Sequence, residues 1–308
     1  MSPACVVTIG IPTIGTSRYI SDTVRSALEQ LPNDGEIVIS DNASADPGFL
    51  SALATNPRIR IIRQARRLSM ADNWNECLSS ARGRHFLLLS DDDALGPDAL
   101  PRLIDALERN HNAGYCATRT RIVDSDGRPI WTTQTHPVIE GAEDCAKQFL
   151  RRRRVFYPCS ILFRTDDLRA VGGFDSAFGP AADVAAWLRC GHHRGAVAFV
   201  GDTYCDYREH SNSQTAATAI HEWQRRIDAI GTLIESLYGA NRGTRRDIER
   251  LGNYMAMDFA VKAALASGRG VAHAIYLAAS YSDGDWLGFA RIAAKTGYYG
   301  ARRALLVS

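Results

Sequence analysis

The 308-residue sequence lacks most of the patterns that assign a protein to a special class. Its seven cysteines are scattered singly, with no CxxC pair and no zinc-ligand spacing, which is typical of reduced thiols in a cytosolic protein. No apolar run reaches the roughly 18 residues of a membrane span, and residues 1–12 lack the features of a signal peptide. We therefore expect a cytoplasmic protein.

The chain also lacks an excess of charge of either sign. It carries 36 Lys and Arg against 34 Asp and Glu, a formal net charge of +2. This balance gives no reason to expect nucleic acid as a partner. Four motifs are missing as well: the GxxxxGK[ST] phosphate loop, the GxGxxG fingerprint, the HExxH zinc motif and the GxSxG nucleophile elbow. Their absence argues against an ATPase, a dehydrogenase, a zinc protease and an α/β-hydrolase.

Over the first 110 residues, short apolar runs alternate with segments of helical periodicity. Strands are predicted at residues 5–11, which Pro12 is expected to end, and at residues 36–44, 58–63 and 84–90. Helices are predicted at residues 18–31, 71–81 and 97–110. This alternation indicates an α/β fold with a mostly parallel sheet. Such sheets bind ligands at the carboxyl ends of their strands, where the segments PTIGTS, SDNAS and SDDD all fall.

The pattern changes after residue 110. Two strands around the Asp126-Gly127 turn are followed by a further strand, a short helix, a Gly-Gly turn and a last strand. From about Ala219 onward, only helical periodicity is found. The predicted divisions of the chain are residues 1–110, 111–218 and 219–308.

Three adjacent carboxylates, Asp91, Asp92 and Asp93, follow the fourth predicted strand. Like charges in a row oppose one another's ionisation, and a hard cation such as Mg²⁺ or Mn²⁺ would relieve that repulsion. An extended chain points alternate side chains in opposite directions, so one ion is not expected to use all three. The alternative is that the cluster only caps the following helix, whose N-terminus favours negative charge. A Ca²⁺ loop is excluded, because the glycine and distal glutamate of an EF-hand are missing.

Five segments in order, IGIPTIG, EIVISDNAS, LLLSDDDALGPDAL, VGGFD and REHSNSQT, resemble the family 2 glycosyltransferases over residues 4–215. These are inverting enzymes with the GT-A fold, a Rossmann-like fold that binds nucleotide sugars. The resemblance implies a metal-dependent hexosyl- or deoxyhexosyltransferase that moves a sugar from a nucleotide diphosphate to a hydroxyl of an acceptor glycan. Bacterial surface polysaccharide or O-antigen synthesis is the usual setting.

The resemblance also gives each division of the chain a role. Residues 1–110 would bind the nucleotide sugar, and residues 111–218 would bind the acceptor and carry the catalytic base. Residues 219–308 would form a helical extension.

Within the first division, the resemblance assigns the nucleotide sugar to residues at the strand ends. Asp41 would accept a hydrogen bond from the base, and Asp91 would face the ribose. The residues assigned to the donor in this way are Pro12, Thr13, Asp41, Asn42, Arg67, Asn73, Asp91 and Asp92. For the SDNAS segment, the alternative is an Asx-type turn without a ligand role. For Arg67, the alternative is a solvated arginine.

The same resemblance implies a bound Mg²⁺ or Mn²⁺. Asp92 would hold the cation, with Asp93 in support and His210 as a further ligand. Ser90 departs from the family, because many relatives have the first Asp of an Asp-x-Asp motif at that position. For His210, the alternative is a surface histidine without a ligand.

Asp183 matches the general base of the family, an acidic residue that begins a helix a few residues after the GGFD turn. Such a base deprotonates the acceptor hydroxyl as it attacks the anomeric carbon from the face opposite the leaving diphosphate. Ala182 stands where many relatives carry a glutamate, so no neighbouring carboxylate raises the pKa of Asp183. The alternative is an aspartate that only caps the helix.

Two basic segments have open roles. The four arginines at residues 151–154 would either hold a phosphate of a lipid-linked acceptor or form a solvated face, as charge runs usually do. The tail from Trp286 is basic and aromatic and has no acidic residue. It suits a helix on an anionic membrane surface, packing on the catalytic domain, or packing on a second subunit in a homo-oligomer.

Two other function classes compete with the transferase. A catalytically inactive carbohydrate- or nucleotide-binding module on the same fold is kept open by Ser90 and Ala182. A sugar nucleotidyltransferase would share the sheet and an Asp-bound Mg²⁺, but the segment PTIGTSRYI lacks the Gly-rich basic loop that it needs.

Overall fold

The computed structural model describes residues 5–210 and 220–266. Within them, ten strands join in one sheet. The strands are β1 (Val7–Thr13), β2 (Glu36–Asp41), β3 (Ile59–Arg63), β4 (His85–Leu88), β5 (Ala94–Leu95), β6 (Ala113–Val123), β7 (Pro129–Thr132), β8 (Ile139–Gly141), β9 (Ile161–Arg164) and β10 (Ala196–Arg208). The helices are α1 (Ile20–Gln30), α2 (Met70–Ser80), α3 (Ala99–Arg109), α4 (Ala142–Leu150), α5 (Thr165–Ala170), α6 (Ala182–Arg194), α7 (Ile220–Tyr238) and α8 (Arg242–Ala266).

The described residues form two compact units. The first contains residues 5–146 and 154–210 and carries the whole sheet, and the second contains residues 147–153 and 220–266. The strand order is β3-β2-β1-β4-β9-β6-β10-β5, with β7 on β6 and β8 on β10. The first four strands are parallel, as the sequence predicts, and β9 then runs antiparallel between β4 and β6. The α/β class is confirmed, with a sheet that is parallel in one half and mixed in the other.

Strand β1 is covered on both faces, which explains its unbroken apolar character. Ile9 and Ile11 have no exposed surface and belong to the same core as residues of α1 and α3. Gly10 points to the other face. A Cβ atom there would come within 2.7 Å of Cys77 in α2, so glycine is what lets α2 lie against the strand.

Pro12 does not end β1, contrary to the prediction. The Gly10 carbonyl accepts from Leu89 on the β4 side, and the Thr13 carbonyl accepts from Asn42 on the β2 side. Alternate residues of a parallel strand direct their polar groups to opposite neighbours, so the nitrogen of Pro12 faces the β4 side. Pairing with β4 has already stopped at Gly10, and the missing N–H of proline therefore costs no ladder hydrogen bond.

Gly114 of β6 lies directly against the backbone of a helix. A Cβ atom on Gly114 would lie 1.9 Å from the carbonyl oxygen of Cys190 in α6. We expect Gly114→Ala to lower the free energy of unfolding by about 3 kcal/mol or more, because backbone atoms must move to admit the methyl group. Gly141→Ala is the matched control, since its nearest atom is 3.7 Å away. Urea unfolding of both variants tests this, and equal midpoints would contradict it.

Most arginines of the run at residues 151–154 contact other side chains of the protein. Arg154 makes two hydrogen bonds of 3.0 Å to Glu140, and both side chains are only 13% exposed. In the second unit, Arg151 pairs with Asp247 at 2.7 Å, and the Arg152 guanidinium stacks 3.7 Å from the centroid of the Tyr254 ring. The solvated face describes only part of this run: Arg151 and Arg153 are exposed, but Arg151, Arg152 and Arg154 pair with acidic or aromatic side chains.

The seven cysteines are all free thiols, and six of them are buried. Among the helices described, none combines the length and apolar character needed to cross a bilayer. The basic aromatic tail from Trp286, with its membrane and subunit alternatives, lies outside the described residues.

Candidate functional site

The carboxyl ends of the parallel strands bring polar residues into one row. Thr13, Asp41 and Arg63 end β1, β2 and β3, and they are directly in register. The Thr13 hydroxyl donates to Oδ2 of Asp91, which follows β4, and Ser17 donates to the Asp91 carbonyl at 2.7 Å. The edge of the sheet therefore carries Arg63, Asp41, Thr13 and Asp91 in spatial order.

The Asp91 carboxyl has a raised pKa. Burial raises its pKa to about 7, the Thr13 hydroxyl lowers it, and the neighbouring Asp92 raises it further. A buried carboxyl with one oxygen already hydrogen-bonded is suited to receive a hydroxyl group on the other. The contact of Asp91 with a ribose stays a prediction.

Asp92 and His210 meet at the end of the row. The Nε2 atom of His210 lies 2.8 Å from Oδ2 of Asp92, and the two side chains are 18% and 19% exposed. The His210 ring also lies against Tyr19, at 5.7 Å between centroids. The predicted pair of carboxylate and imidazole is therefore brought together.

Asp93 turns the other way. It is 1% exposed, its Oδ1 accepts from the Arg208 backbone N–H at 3.0 Å, and burial raises its pKa well above the ordinary range. Its carboxylate thus anchors β10 beneath the turn and is not brought to Asp92 and His210. Within the described part of the chain, no three His, Cys, Asp or Glu side chains form a group suited to a metal ion. Mg²⁺ usually takes only one or two protein carboxylates and receives its other ligands from substrate oxygens and water. Asp92 and His210 fit a cation whose remaining ligands come from the substrate.

Arg208 is a site residue that the sequence did not reveal. Its Nε donates to the Asp92 carbonyl at 2.9 Å, its Nη1 donates to the Asp124 carbonyl at 3.2 Å, and its guanidinium lies 4.3 Å from the Tyr19 ring centroid. It ties β10 to the acidic turn and to the hairpin of β6 and β7. Its place in the segment REHSNSQT, two residues before His210, marks only its neighbourhood and not its contacts with Asp92 and Asp124.

Asp41 has no exposed surface. Its Oδ1 accepts from the Ser44 backbone N–H at 3.0 Å, and its Oδ2 accepts from the Ser44 hydroxyl at 3.0 Å and from Arg63 at 2.9 Å. Ala43 between them has φ of 53°, a left-handed conformation that a non-glycine residue adopts at a cost. The Asx-type turn is therefore present, and Asp41 itself stabilises it.

Three other residues that were predicted to bind the nucleotide sugar form hydrogen bonds around this turn. Asn42 accepts from the Leu68 N–H at 2.7 Å and donates to the Leu68 carbonyl at 3.1 Å, while Arg67 lies 3.4 Å from the Asn42 carbonyl. Asn73 accepts from the Ser40 hydroxyl at 2.7 Å. Asn42 and Asn73 are each 3% exposed, so the structure brings them to the turn and leaves their contact with a nucleotide as a prediction.

Asp183 is the second residue of α6 and is 8% exposed. Because α6 leads through Gly195 into the start of β10, which runs parallel to β6, its first turn lies towards the edge where the parallel strands end. The sequence offered no neighbouring carboxylate to raise the pKa of Asp183. Burial raises that pKa to about 7 instead, although backbone N–H groups lower it.

Asn75 is a second site residue that was not predicted from the sequence, and it holds the backbone of the segment before Asp183. Asn75 of α2 accepts from the Phe174 N–H at 2.9 Å and donates to the Phe174 carbonyl at 2.7 Å. Gly172 and Gly173 have φ of 94° and 66°, so this turn needs glycine. A cavity of about 180 Å³ lies beside it, between Ser69 to Ala71 and Ser176, Gly179 and Pro180. The cavity lies next to the segment that leads into Asp183.

Comparison with known proteins agrees with the geometry. Residues 8–172 match the model of the family described as Glycosyl transferase family 2. An uncharacterised protein of Mycobacterium tuberculosis (strain CDC 1551 / Oshkosh) is 28% identical over 216 residues, 63% of this chain and 64% of that protein. Chondroitin synthase of Escherichia coli is 30% identical over 136 residues, 43% of this chain and 20% of that protein. The succinoglycan biosynthesis protein ExoO of Rhizobium meliloti is 30% identical over 126 residues, 40% of this chain and 36% of that protein.

The chain spans less than two thirds of the length of each of these relatives. Among solved structures, residues 1–349 of S. aureus TarS in complex with UDP-GlcNAc superpose with a TM-score of 0.59 at 12% identity. The superposition covers 84% of this chain and 72% of that chain. At this level of identity the likeness concerns the fold, and the predicted GT-A fold is confirmed.

Proposed function

Because this chain belongs to glycosyl transferase family 2, we propose that it transfers a sugar from a nucleotide diphosphate sugar to a hydroxyl of an acceptor glycan. The observation that carries the proposal is the row of Thr13, Asp91, Asp92 and His210 at the carboxyl edge of the parallel strands. Synthesis of a bacterial polysaccharide is the proposed setting, which is supported by the names of the chondroitin synthase and succinoglycan relatives.

The donor nucleotide would lie across this edge. Asp91, held by Thr13, would bind a ribose hydroxyl, and Pro12 would lie against the nucleotide. The complexes of TarS with UDP and with UDP-GlcNAc support a nucleotide sugar as the class of donor. Arg67 and the turn of Asp41 and Asn42 would complete the nucleotide side of the site.

Asp92 and His210 would hold Mg²⁺ or Mn²⁺ together with oxygens of the donor diphosphate. When bound, the cation stabilises the negative charge of the leaving diphosphate. Arg208 would keep the Asp92 backbone in place, because it donates to the Asp92 carbonyl. Asp93 would support the same turn from inside the protein through its hydrogen bond to the Arg208 N–H.

Asp183 would act as the general base. It would take the proton of the acceptor hydroxyl while that oxygen attacks the anomeric carbon from the face opposite the diphosphate, and the configuration would invert. A carboxylate whose pKa is about 7 accepts a proton more readily than an ordinary aspartate does. At a pH slightly above 7 it is still mostly ionised and can act as a base. Burial therefore gives Asp183 the basicity that a neighbouring glutamate would otherwise supply.

A thermal-shift screen of UDP, GDP, CDP and dTDP, each with and without Mn²⁺, tests the donor site. A nucleotide that binds only the folded protein adds about 2.7 kcal/mol of stability at one hundred times its Kd. We expect a metal-dependent rise in Tm with at least one nucleotide and its loss in Asp92→Ala. Asp105→Ala is the control, because Asp105 lies on α3, is 56% exposed and pairs only with Arg109 among the contacts described. No shift with any nucleotide at millimolar concentration would contradict the proposal.

A binding module without catalysis would pass that screen, so donor breakdown is measured as well. We expect slow metal-dependent hydrolysis of the matching nucleotide sugar, abolished by Asp92→Ala. Nucleotide binding without hydrolysis or transfer would instead favour the inactive module, for which Ser90 and Ala182 are the departures from the family pattern.

A further inference from the structure

Each backbone carbonyl of the acidic turn, residues 91–93, accepts a hydrogen bond from a side chain. The donors are, in order along the turn, the Ser17 hydroxyl at 2.7 Å, Nε of Arg208 at 2.9 Å and the Thr23 hydroxyl at 2.7 Å. Ser17 precedes α1 and Thr23 lies within it, so the start of this helix holds two of the carbonyls, and the end of β10 holds the third. The conformation of the turn, which directs its carboxylates, therefore depends on these anchors.

Tyr19 lies between Ser17 and Thr23 in the sequence, and its backbone is fixed. Its N–H donates to the Ser17 hydroxyl at 3.2 Å, and its carbonyl accepts from the Asp22 and Thr23 N–H groups at 2.9 and 3.0 Å. Its hydroxyl donates to the Ser125 carbonyl at 3.0 Å, in the hairpin of β6 and β7. The Tyr19 side chain is therefore held at its base and at its tip.

The Tyr19 ring contacts two residues that meet Asp92. The Arg208 guanidinium lies 4.3 Å from the ring centroid, well within the range of a cation–π interaction. The His210 ring lies 5.7 Å from the same centroid, at an interplanar angle of 46°. Arg208 holds the Asp92 carbonyl, and His210 meets the Asp92 carboxylate at 2.8 Å. One ring thus supports both contacts of Asp92.

Neither a core role nor a capping role accounts for a tyrosine at this position. Tyr19 is only half-buried, so it is not a member of the hydrophobic core. It occupies the position that caps α1, but its side chain makes no capping hydrogen bond. What the aromatic ring adds here is its contact with Arg208 and His210.

We propose that Tyr19 is a positioning residue of the cation site, whose ring keeps Arg208 and His210 in the arrangement that lets Asp92 and His210 bind Mg²⁺ or Mn²⁺. This inference rests on the proposed function. A side chain that orients a metal ligand contributes to metal affinity without touching the ion, and its removal typically costs ten- to hundredfold. The Tyr19 hydroxyl bonds to the hairpin instead, so the ring and the hydroxyl have separate roles.

Titration of Mn²⁺ at a saturating concentration of the nucleotide found by the screen, with free Mn²⁺ counted by electron paramagnetic resonance, tests the proposal. We expect Tyr19→Leu, which removes the ring, to weaken Mn²⁺ binding by at least about tenfold. Tyr19→Phe keeps the ring and should stay within about threefold of the wild type. Tyr204→Leu is the matched control, because the Arg121 guanidinium lies 4.2 Å from the Tyr204 ring centroid on the same strand as Arg208. This control should also stay within about threefold.

A second measurement needs neither metal nor activity. Diethyl pyrocarbonate modifies accessible imidazoles, and His210 is only 18% exposed in its contact with Asp92 and Tyr19. In the metal-free protein, Tyr19→Leu should raise the rate of His210 modification by at least about threefold, because the ring that covers it is gone. The exposed His111 is the internal control, and its rate should not change. Tyr19→Met is a second variant without a ring, for use if Tyr19→Leu folds poorly.

The dependence of the transfer rate on Mn²⁺ separates positioning from catalysis. A residue that only positions a metal ligand should raise the Mn²⁺ concentration needed for half the maximal rate, and saturating Mn²⁺ should restore most of kcat in Tyr19→Leu. A kcat that stays low at saturating Mn²⁺ would contradict this role.

The outcomes distinguish the inference from the proposed function. Wild-type Mn²⁺ affinity in Tyr19→Leu, or an equal loss in Tyr204→Leu, would overturn the inference and leave the proposed function standing. A loss in Tyr19→Phe as large as in Tyr19→Leu would assign the effect to the hydroxyl and would also overturn it. Failure of the wild type to bind Mn²⁺ with any nucleotide would overturn both.

Discussion

Asp183→Asn is expected to slow sugar transfer by about 10²- to 10⁴-fold, the usual contribution of a general base. The amide keeps the size of the carboxyl but cannot accept the proton of the acceptor hydroxyl. Nucleotide affinity should stay within about threefold of the wild type, because the proposed donor contacts are elsewhere. Initial rates with the donor found by the nucleotide screen, together with titration of the free nucleotide, measure the two effects separately.

The wild-type rate should also rise with pH towards about 7, where the Asp183 carboxyl loses its proton. Asp166→Asn is the control for the chemical change, since the Asp166 side chain on α5 is 97% exposed. An Asp183→Asn enzyme that retains the wild-type rate would show that another group accepts the proton. A large loss of nucleotide affinity in Asp183→Asn would indicate a role in donor binding instead.

Removing the same carboxyl is expected to stabilise the folded protein at neutral and alkaline pH. Burial raises the pKa of Asp183 from 3.8 to about 7, so the folded state keeps a proton that the unfolded state releases near pH 4. The contribution of Asp183 to the free energy of unfolding therefore falls as pH rises from about 4 to about 7 and then levels off. Over this window the cost of ionising one buried carboxyl is on the order of 4 kcal/mol.

The difference between Asp183→Asn and wild type isolates this effect from the other buried carboxyls. Near pH 4 the two proteins should have similar free energies of unfolding, because both side chains are uncharged. At pH 8 the variant should be more stable by several kcal/mol. Urea unfolding at both pH values measures the change, and a difference that does not depend on pH would show that Asp183 titrates normally.

The parallel half of the sheet was predictable from the sequence because its signals are local. The runs that form β1, β2, β3 and β4 are short and apolar, and helical periodicity marks α1, α2 and α3 between and after them. Local signals failed where tertiary pairing decides. Pro12 stays in β1 because its neighbour on the β4 side has already ended, and β5 and β8 are too short to show a period.

The site was predictable to the extent that motifs mark it. The carboxylates after β4, the histidine near the end of β10 and the aspartate of α6 all stand in recognisable segments. Alternation along an extended chain is not the reason that the acidic cluster splits, because these residues lie in a turn in which the Asp93 N–H donates to the Ser90 carbonyl. The turn directs Asp92 towards His210 and Asp93 inward.

Residues that act through distant partners were not predictable. Arg208 meets Asp92 across 116 positions of sequence, and Asn75 meets Phe174 across 99. No periodicity or spacing encodes such contacts. The raised pKa of Asp183 was not predictable either, because the burial that raises it comes from the surrounding fold and not from adjacent residues.

The position of β10 has a consequence for the order in which the chain folds. Although it is the last strand in the described sequence, it lies inside the sheet between β6 and β5 and carries Arg208 to the acidic turn. Such long-range pairing is slow to form, because a large loop must close before any contact rewards it. A chain emerging from the ribosome would expose its three carboxylates well before the arginine and histidine that meet Asp92 have been synthesised. Competence to bind a donor should therefore be among the last properties that the first unit acquires during folding.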